Sequence, residues 1–271
     1  MPLIQRIAAG AAGVVLASFS LAGCGAADSL VHPGGKRLTG GCGVVVDGSG
    51  TSASASGFDA SAQITGAVPA FLAAANCRYV EFGPIDGTSQ SSVCTQPRLD
   101  LDPDAAGDVD RTALRASHRQ LAVQRAAKVL QCVQTDPRSV KGSDVLGGIA
   151  NMAAIAADGT DGPAPMRVLV ISDFDNNNNG VDVQAQIGQL ADPAARSEII
   201  KTLDAKGTIP DLRQIDLYTA GYGLVFPRQP GQVQAFTAFW NDVLRDHGHV
   251  HKLVINPYHV DVHASPTPAA A

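Results

Sequence analysis

Asp47-Gly48-Ser49-Gly50-Thr51 is the stretch of this chain best equipped to do chemistry. An acid and two hydroxyls alternate along it with glycines between them, so three oxygen donors gather around one point, as a hard cation requires. An apolar run, Val44-Val45-Val46, leads straight into it and reads as a central strand covered on both sides. Two later segments carry matching pieces. Gly142-Ser143-Asp144 opens a predicted helix marked by Val145, Ile149, Met152 and Ala156, and Val168-Leu169-Val170-Ile171 is a second apolar run ending in Ser172-Asp173. Ligands of open α/β sheets bind beyond the carboxyl ends of the strands, so Asp47 and Asp173 are expected on one edge. Right-handed crossovers bring Ser143 to the same edge. Taken singly, each has a plainer role: Asp47-Gly48 as a turn, Ser143 as a helix N-cap, Asp173 as an acceptor for backbone amides after its strand.

A second acidic run follows, Asp173-Phe174-Asp175-Asn176-Asn177-Asn178-Asn179-Gly180-Val181-Asp182. Asp175, Asn177, Asn179 and Gly180 fit the first, third, fifth and sixth places of a calcium loop, with Asp182 a further acid in the run. The closing bidentate acid is missing, because position twelve is Gln186. An Asn-rich rim loop is the plainer reading. His247, His249, His251, His259 and His263 cluster late in the chain. The alternate spacing of the first three would set imidazoles on one side of an extended segment, a pattern suited to zinc or copper, although solvated histidines read the same way. Catalysis has little support. A phosphatase-like nucleophile at Asp47 wants a second acid two residues on, where Ser49 stands; a hydrolase elbow at Ser49 wants glycines where Asp47 and Thr51 stand.

The elements that must position these residues alternate strand with helix, which predicts an α/β fold: a mostly parallel sheet with helices on both faces. Phe58 to Ala75 reads as the first helix, weakened by Gly66 and Pro69. Arg78 to Phe82 alternates and is followed by turn-rich Gly83 to Gly87, which predicts a hairpin with an antiparallel edge strand near Cys94. Residues 97–110 read as a polar insertion. Asp108 or Asp110 would cap the next helix, whose apolar face carries Ala122, Ala126, Val129, Leu130 and Val133. A helix over Ala194 to Ala205, a strand over Ile215 to Tyr218, a helix lined by Val233, Phe236, Trp240, Val243 and Leu244, and a strand over Lys252 to Ile255 complete the series.

The first 23 residues read as an export signal, with Arg6 as its basic region, an apolar stretch from Ile7 to Leu21, and small residues before Cys24. Leu21-Ala22-Gly23-Cys24 resembles a bacterial lipobox, which implies cleavage before Cys24, lipid attachment to its sulfur and anchoring at the extracytoplasmic face of a membrane. Residues 24–41 read as a Gly-rich tether and 259–271 as a disordered tail. Losing Arg6 with the signal moves the formal charge from −5 to −6, and no Lys/Arg-rich cluster stands out along the sequence. Nucleic acid is therefore excluded as a partner, since cationic contacts supply most of that affinity. Beyond Cys24 the cysteines are Cys42, Cys77, Cys94 and Cys132. An even number in an exported chain, with no Cys-x-x-Cys pair, indicates disulfides rather than zinc. Four cysteines allow three connectivities, which the sequence does not choose among; one of them joins Cys77 with Cys94, closing the hairpin, and Cys42 with Cys132.

The three segments in this order resemble the metal-ion-dependent adhesion site of von Willebrand factor A domains. There the first motif reads Asp-x-Ser-x-Ser, a threonine precedes a middle helix, and an aspartate ends the following strand. Here Thr51 replaces the second serine and Ser143 the threonine, each keeping a hydroxyl. The resemblance covers residues 42–258 and implies a three-layer, Rossmann-like sandwich with an antiparallel edge hairpin. It further implies that Ser49 and Thr51 ligate Mg²⁺ or Mn²⁺ directly and Ser143 directly or through water, while Asp47 and Asp173 hold metal-bound waters. The open position would accept a carboxylate from a protein or glycan ligand, and Ca²⁺ would belong to the second loop. The implied protein is a non-enzymatic, lipid-anchored envelope module; a metal-free structural lipoprotein and a hydrolase on the same sheet class are the alternatives.

Overall fold

The computed structural model describes residues 37–49, 58–104, 110–159, 164–178, 180–226 and 229–260. Cys24 with most of its tether, Thr51, Asn179, His263 and the tail beyond Val260 lie outside the described residues.

Strand β1 (Gly41–Asp47) is buried at every position. Helix α1 (Ala60–Ala75) follows, capped by Asp59, whose side chain accepts the Ala62 amide, and ended by Asn76 in the left-handed region. Ile64, Ala67, Val68, Phe71 and Leu72 recur at helical spacing and are all buried. Pro69, half-buried, removes one donor from the helix's hydrogen-bond ladder without ending the helix. Strand β2 (Tyr79–Ile85) is joined through a short 3₁₀ turn, Ser89–Ser91, to β3 (Gln96–Asp100). Helix α2 (Arg111–Thr135) has Asp110 as its N-cap, and α3 (Val145–Ala157) has Asp144. Strand β4 (Met166–Ile171) leads to a two-stranded ribbon of β5 (Asn177–Asn178) and β6 (Val181–Asp182). Helices α4 (Ile187–Ala191) and α5 (Pro193–Ala205), strand β7 (Ile215–Ala220), helix α6 (Pro230–Asn241) with a π-helical turn over Asp242–His247, and strand β8 (Lys252–Val254) end the domain.

The main sheet runs β3-β2-β1-β4-β7-β8, parallel throughout except that β3 is antiparallel to β2. Alternate residues of the central strands feed two cores. Val45, Val168, Val170 and Leu217 join the side chains of α3, α5 and α6, whereas Val44, Val46, Leu169 and Ile171 join those of α1 and α2. The result is a Rossmann-like α/β sandwich, as the alternating pattern predicts. Among the described residues no helix is long and apolar enough to cross a membrane.

One expectation is corrected, and the open disulfide connectivity is resolved. Residues 97–100 belong to the antiparallel edge strand expected near Cys94 rather than to an insertion; only Leu99 of the strand is buried, and Pro97 is accommodated because an edge strand can spare a donor. The disulfides join Cys42 to Cys77 and Cys94 to Cys132, with Cα separations of 5.7 and 5.5 Å. Cys77 precedes β2 and Cys94 follows it, so a strand about 20 Å long separates the two cysteines that would have closed the hairpin. That exceeds the roughly 7 Å a disulfide can bridge. Two disulfides mark an exported, extracytoplasmic protein.

Candidate metal centre

The chain leaves β1 for β2 and β3 on one side, then returns to β4 on the other, so the strand order reverses between β1 and β4. A crevice opens at the carboxyl ends of such a pair. Asp47 ends β1, and Ser172-Asp173 follows the last residue of β4.

Asp47 is fully buried. Its Oδ1 accepts the Ser49 amide at 2.9 Å, while its Oδ2 accepts the hydroxyls of Ser143 at 3.1 Å and Ser172 at 2.7 Å. Three segments far apart in sequence therefore meet on one carboxylate. Ser143 does not cap α3; the next residue, Asp144, does so by accepting the Gly147 amide at 2.9 Å. This leaves the Ser143 hydroxyl to reach Asp47. Ser172, absent from the set read in the sequence, also accepts the Phe174 amide at 2.9 Å and so fixes the start of the next loop. Its one legible signal was its position beside Asp173 at the end of a buried strand.

Asp173 is buried, and its Oδ1 accepts the Asp175 amide at 3.1 Å. The following residue, Phe174, has φ of +65°, a conformation that a bulky side chain adopts only when its surroundings impose it. Here Tyr222 and Trp240 hold its ring edge-on at centroid distances of 5.0 and 5.2 Å, and the Trp240 indole donates to its carbonyl at 3.2 Å. Asp173 is thus aimed by a strained turn that α6 supports. On the other flank, Gly48 packs so closely on Val133 of α2 that an added Cβ would lie 2.4 Å from its Cγ1.

Burial raises the Asp47 pKa above the usual carboxylate range, against the hydrogen bonds from Ser172, Ser49 and Ser143 that lower it. Burial, then the charges of Asp182 and Asp47, push Asp175 up to about 6. Negative charge is therefore concentrated here at a cost that a cation would offset. The buried Asp47 carboxylate with the hydroxyls of Ser49 and Ser143 beside it is an all-oxygen group of the kind that suits Mg²⁺ or Mn²⁺, and Asp173 adds a second buried carboxylate at the end of the neighbouring strand. Among the described residues no group of three or more His, Cys, Asp or Glu could hold a metal, and this set contains only two such side chains.

The Asn-rich run is arranged differently. Asn177 Oδ1 accepts the Ser143 amide, Asn176 Oδ1 accepts the Val145 and Leu146 amides, and Asp182 Oδ1 accepts the Ala185 amide. Asp175 Oδ1 accepts the Gln184 amide at 3.2 Å. One side-chain oxygen each of Asp175, Asn177 and Asp182 is thus turned toward a backbone donor. Among the described residues the late histidines form no metal-holding group: His251 pairs with Asp216 at 2.6 Å, while His247 lies 3.7 Å from Asp204. Compared with known proteins, the chain matches no family model and no curated sequence.

Proposed function

We propose that this chain is a lipid-anchored, extracytoplasmic binding module of the von Willebrand factor A type, and that it is not an enzyme. In this reading Asp47, Ser49, Thr51, Ser143 and Asp173 hold Mg²⁺ or Mn²⁺, and a protein or glycan ligand presents a carboxylate to the open position. One observation carries it: hydroxyls from two other segments converge on the buried Asp47 carboxylate at the reversal of strand order. The cation, when bound, supplies the positive charge that receives the ligand. The protein's residues fix its seat and exclude water from the carboxylates below it. Cys24 carries the anchor.

A metal-free scaffold is the second reading, and it too has an observation behind it. Asp47 already accepts three hydrogen bonds within the protein, so the fold is satisfied without a cation. Calorimetric titration of Mg²⁺, Mn²⁺ and Ca²⁺ into the chain beginning at Gly25, alongside Ser49→Ala and Asp175→Ala, separates them. Binding lost in Ser49→Ala alone supports the adhesion-type site; binding lost in Asp175→Ala alone moves the cation to the Asn-rich run. Heat absent for all three ions leaves the scaffold.

A further inference from the structure

We propose that Asn176 and Asn177 are positioning residues that clamp the Gly142–Asp144 turn and thereby hold the Ser143 hydroxyl on Asp47. The inference deepens the metal-site reading and rests on it for its functional consequence, though not for its structural one.

Ser143 sits in a turn whose backbone is gripped from both sides. On one side Asn177 stands in for a neighbouring strand: its Oδ1 accepts the Ser143 amide at 2.7 Å and its backbone N–H donates to the Ser143 carbonyl at 3.0 Å. Both main-chain polar groups of a residue only 1 % exposed are thus satisfied by a single partner. On the other side the Asp144 amide donates to the Asp86 carbonyl at 2.8 Å, and the Ser89 hydroxyl donates to the Asp144 carbonyl at 2.8 Å. Gly142, at φ +125°, makes the approach feasible. A Cβ there would be strained by the backbone conformation and would lie 3.1 Å from Asn177 Oδ1.

Asn176 secures the start of α3, immediately after that turn. It is fully buried, and its amide group uses its hydrogen-bonding capacity completely. Oδ1 accepts the Val145 and Leu146 amides at 3.0 and 3.4 Å, two of the first-turn donors of α3 that lack partners within the helix. Nδ2 donates to the carbonyls of Asn178 at 2.8 Å and Val181 at 3.1 Å, on the two arms of the β5–β6 ribbon. The ribbon and the start of α3 are therefore joined through the Asn176 side chain, next to the turn that Asn177 holds, and Asn178 Nδ2 extends the contact to the Gly87 carbonyl. The run of asparagines is explained by its acceptors and donors together. An aspartate at 176 could not supply the two N–H groups, and an alanine would leave buried amides and carbonyls without partners.

The test compares Asn177→Ala with Asn177→Asp, which keeps an acceptor oxygen, and with Ser143→Ala, all in the chain beginning at Gly25. Three quantities are read: amide hydrogen exchange at Ser143, Mn²⁺ affinity, and the unfolding midpoint. The clamp requires Asn177→Ala to speed exchange at Ser143 and to weaken Mn²⁺ binding about 10- to 100-fold, the range for groups that orient a metal ligand. Asn177→Asp restores both, and Ser143→Ala weakens Mn²⁺ without needing Asn177. Unchanged exchange at Ser143 in Asn177→Ala overturns the clamp whatever the metal does. A wild-type chain that binds no Mn²⁺ overturns the metal-site reading, while the exchange result still decides the clamp. Calcium binding abolished by Asn177→Ala and Asp175→Ala, yet intact in Ser143→Ala and Ser49→Ala, would make the run a cation site in its own right and overturn the positioning role.

Discussion

Ser172→Ala should be among the most damaging single-atom deletions in this protein, and its cost should depend on pH. The Ser172 hydroxyl donates to the fully buried Asp47 carboxylate at 2.7 Å and accepts the Phe174 amide at 2.9 Å. A hydrogen bond to a charged group contributes about 1.5–3 kcal/mol, and a buried amide stripped of its acceptor costs at least about 1 kcal/mol more. While Asp47 is ionised, the variant should therefore lose about 3 kcal/mol. For a domain of this size that lowers the unfolding midpoint by roughly 6–12 °C. Burial holds the folded Asp47 pKa above its unfolded value, so lowering the pH protonates Asp47 in the fold first. The charged share of the hydrogen bond then disappears, and near pH 4 the penalty should shrink toward the share of the Phe174 amide. Scanning calorimetry of wild type, Ser172→Ala and the exposed control Thr65→Ala at pH 7 and near pH 4 provides the check. A penalty under about 1 kcal/mol at pH 7, or one that grows on acidification, would refute the reasoning.

Each disulfide closes a loop of comparable length, with sequence separations of 35 and 38, so removing either pair of cysteines should cost about 4 kcal/mol by loop entropy. Denaturant unfolding measures the loss, and peptide mapping of the oxidised protein should recover Cys42–Cys77 and Cys94–Cys132. Asp175→Asn keeps the acceptor for the Gln184 amide but removes a charge that the fold disfavours. Wild type should lose stability as pH rises from about 4 through 6, and the variant should not, giving it an advantage on the order of 2 kcal/mol at pH 7 in metal-free buffer. Gly48→Ala drives a Cβ to 2.4 Å from Val133 Cγ1 and should cost about 1–3 kcal/mol by overpacking, with Val133→Gly in the same chain recovering part of the loss.

What the sequence discloses, and what it does not, follows from the range of the forces involved. Strands β1 and β4 were legible because a strand covered on both faces must be apolar throughout, and α1, α2 and α3 because their buried positions recur every three or four residues. Strand β3 was legible as an antiparallel edge strand near Cys94 through the turn-rich run before it, but not in its bounds: only Leu99 faces the core, so no alternation marks where it lies. The meeting of Asp47 with Ser143 was legible through strand ends and crossover handedness. Ser172 was not, because its hydroxyl acts on a carboxylate 125 residues away and nothing local distinguishes it from a strand-end serine. The Asn-rich run was readable as oxygen-rich but not as an acceptor array, since composition does not say which way an amide turns. The disulfide pairing is not legible either, because cysteines near one another in sequence, Cys77 and Cys94, are held apart by the length of β2.

Asp47 can be asked directly whether its charge is needed. As a hub for hydrogen bonds it has a neutral equivalent: in Asp47→Asn, Oδ1 can still accept the Ser49 amide, while the hydroxyls of Ser143 and Ser172 rotate to accept from Nδ2. The asparagine escapes the desolvation that holds the aspartate pKa high, so the variant should be at least as stable as wild type at pH 7 without metal. With Mn²⁺ at 100 times its dissociation constant, wild type should gain about 2.7 kcal/mol and the variant much less. A variant that is stable but no longer stabilised by Mn²⁺ makes the buried charge a functional expense. If wild type and variant respond alike to the ion, Asp47 serves the fold alone and the metal must lie elsewhere or nowhere.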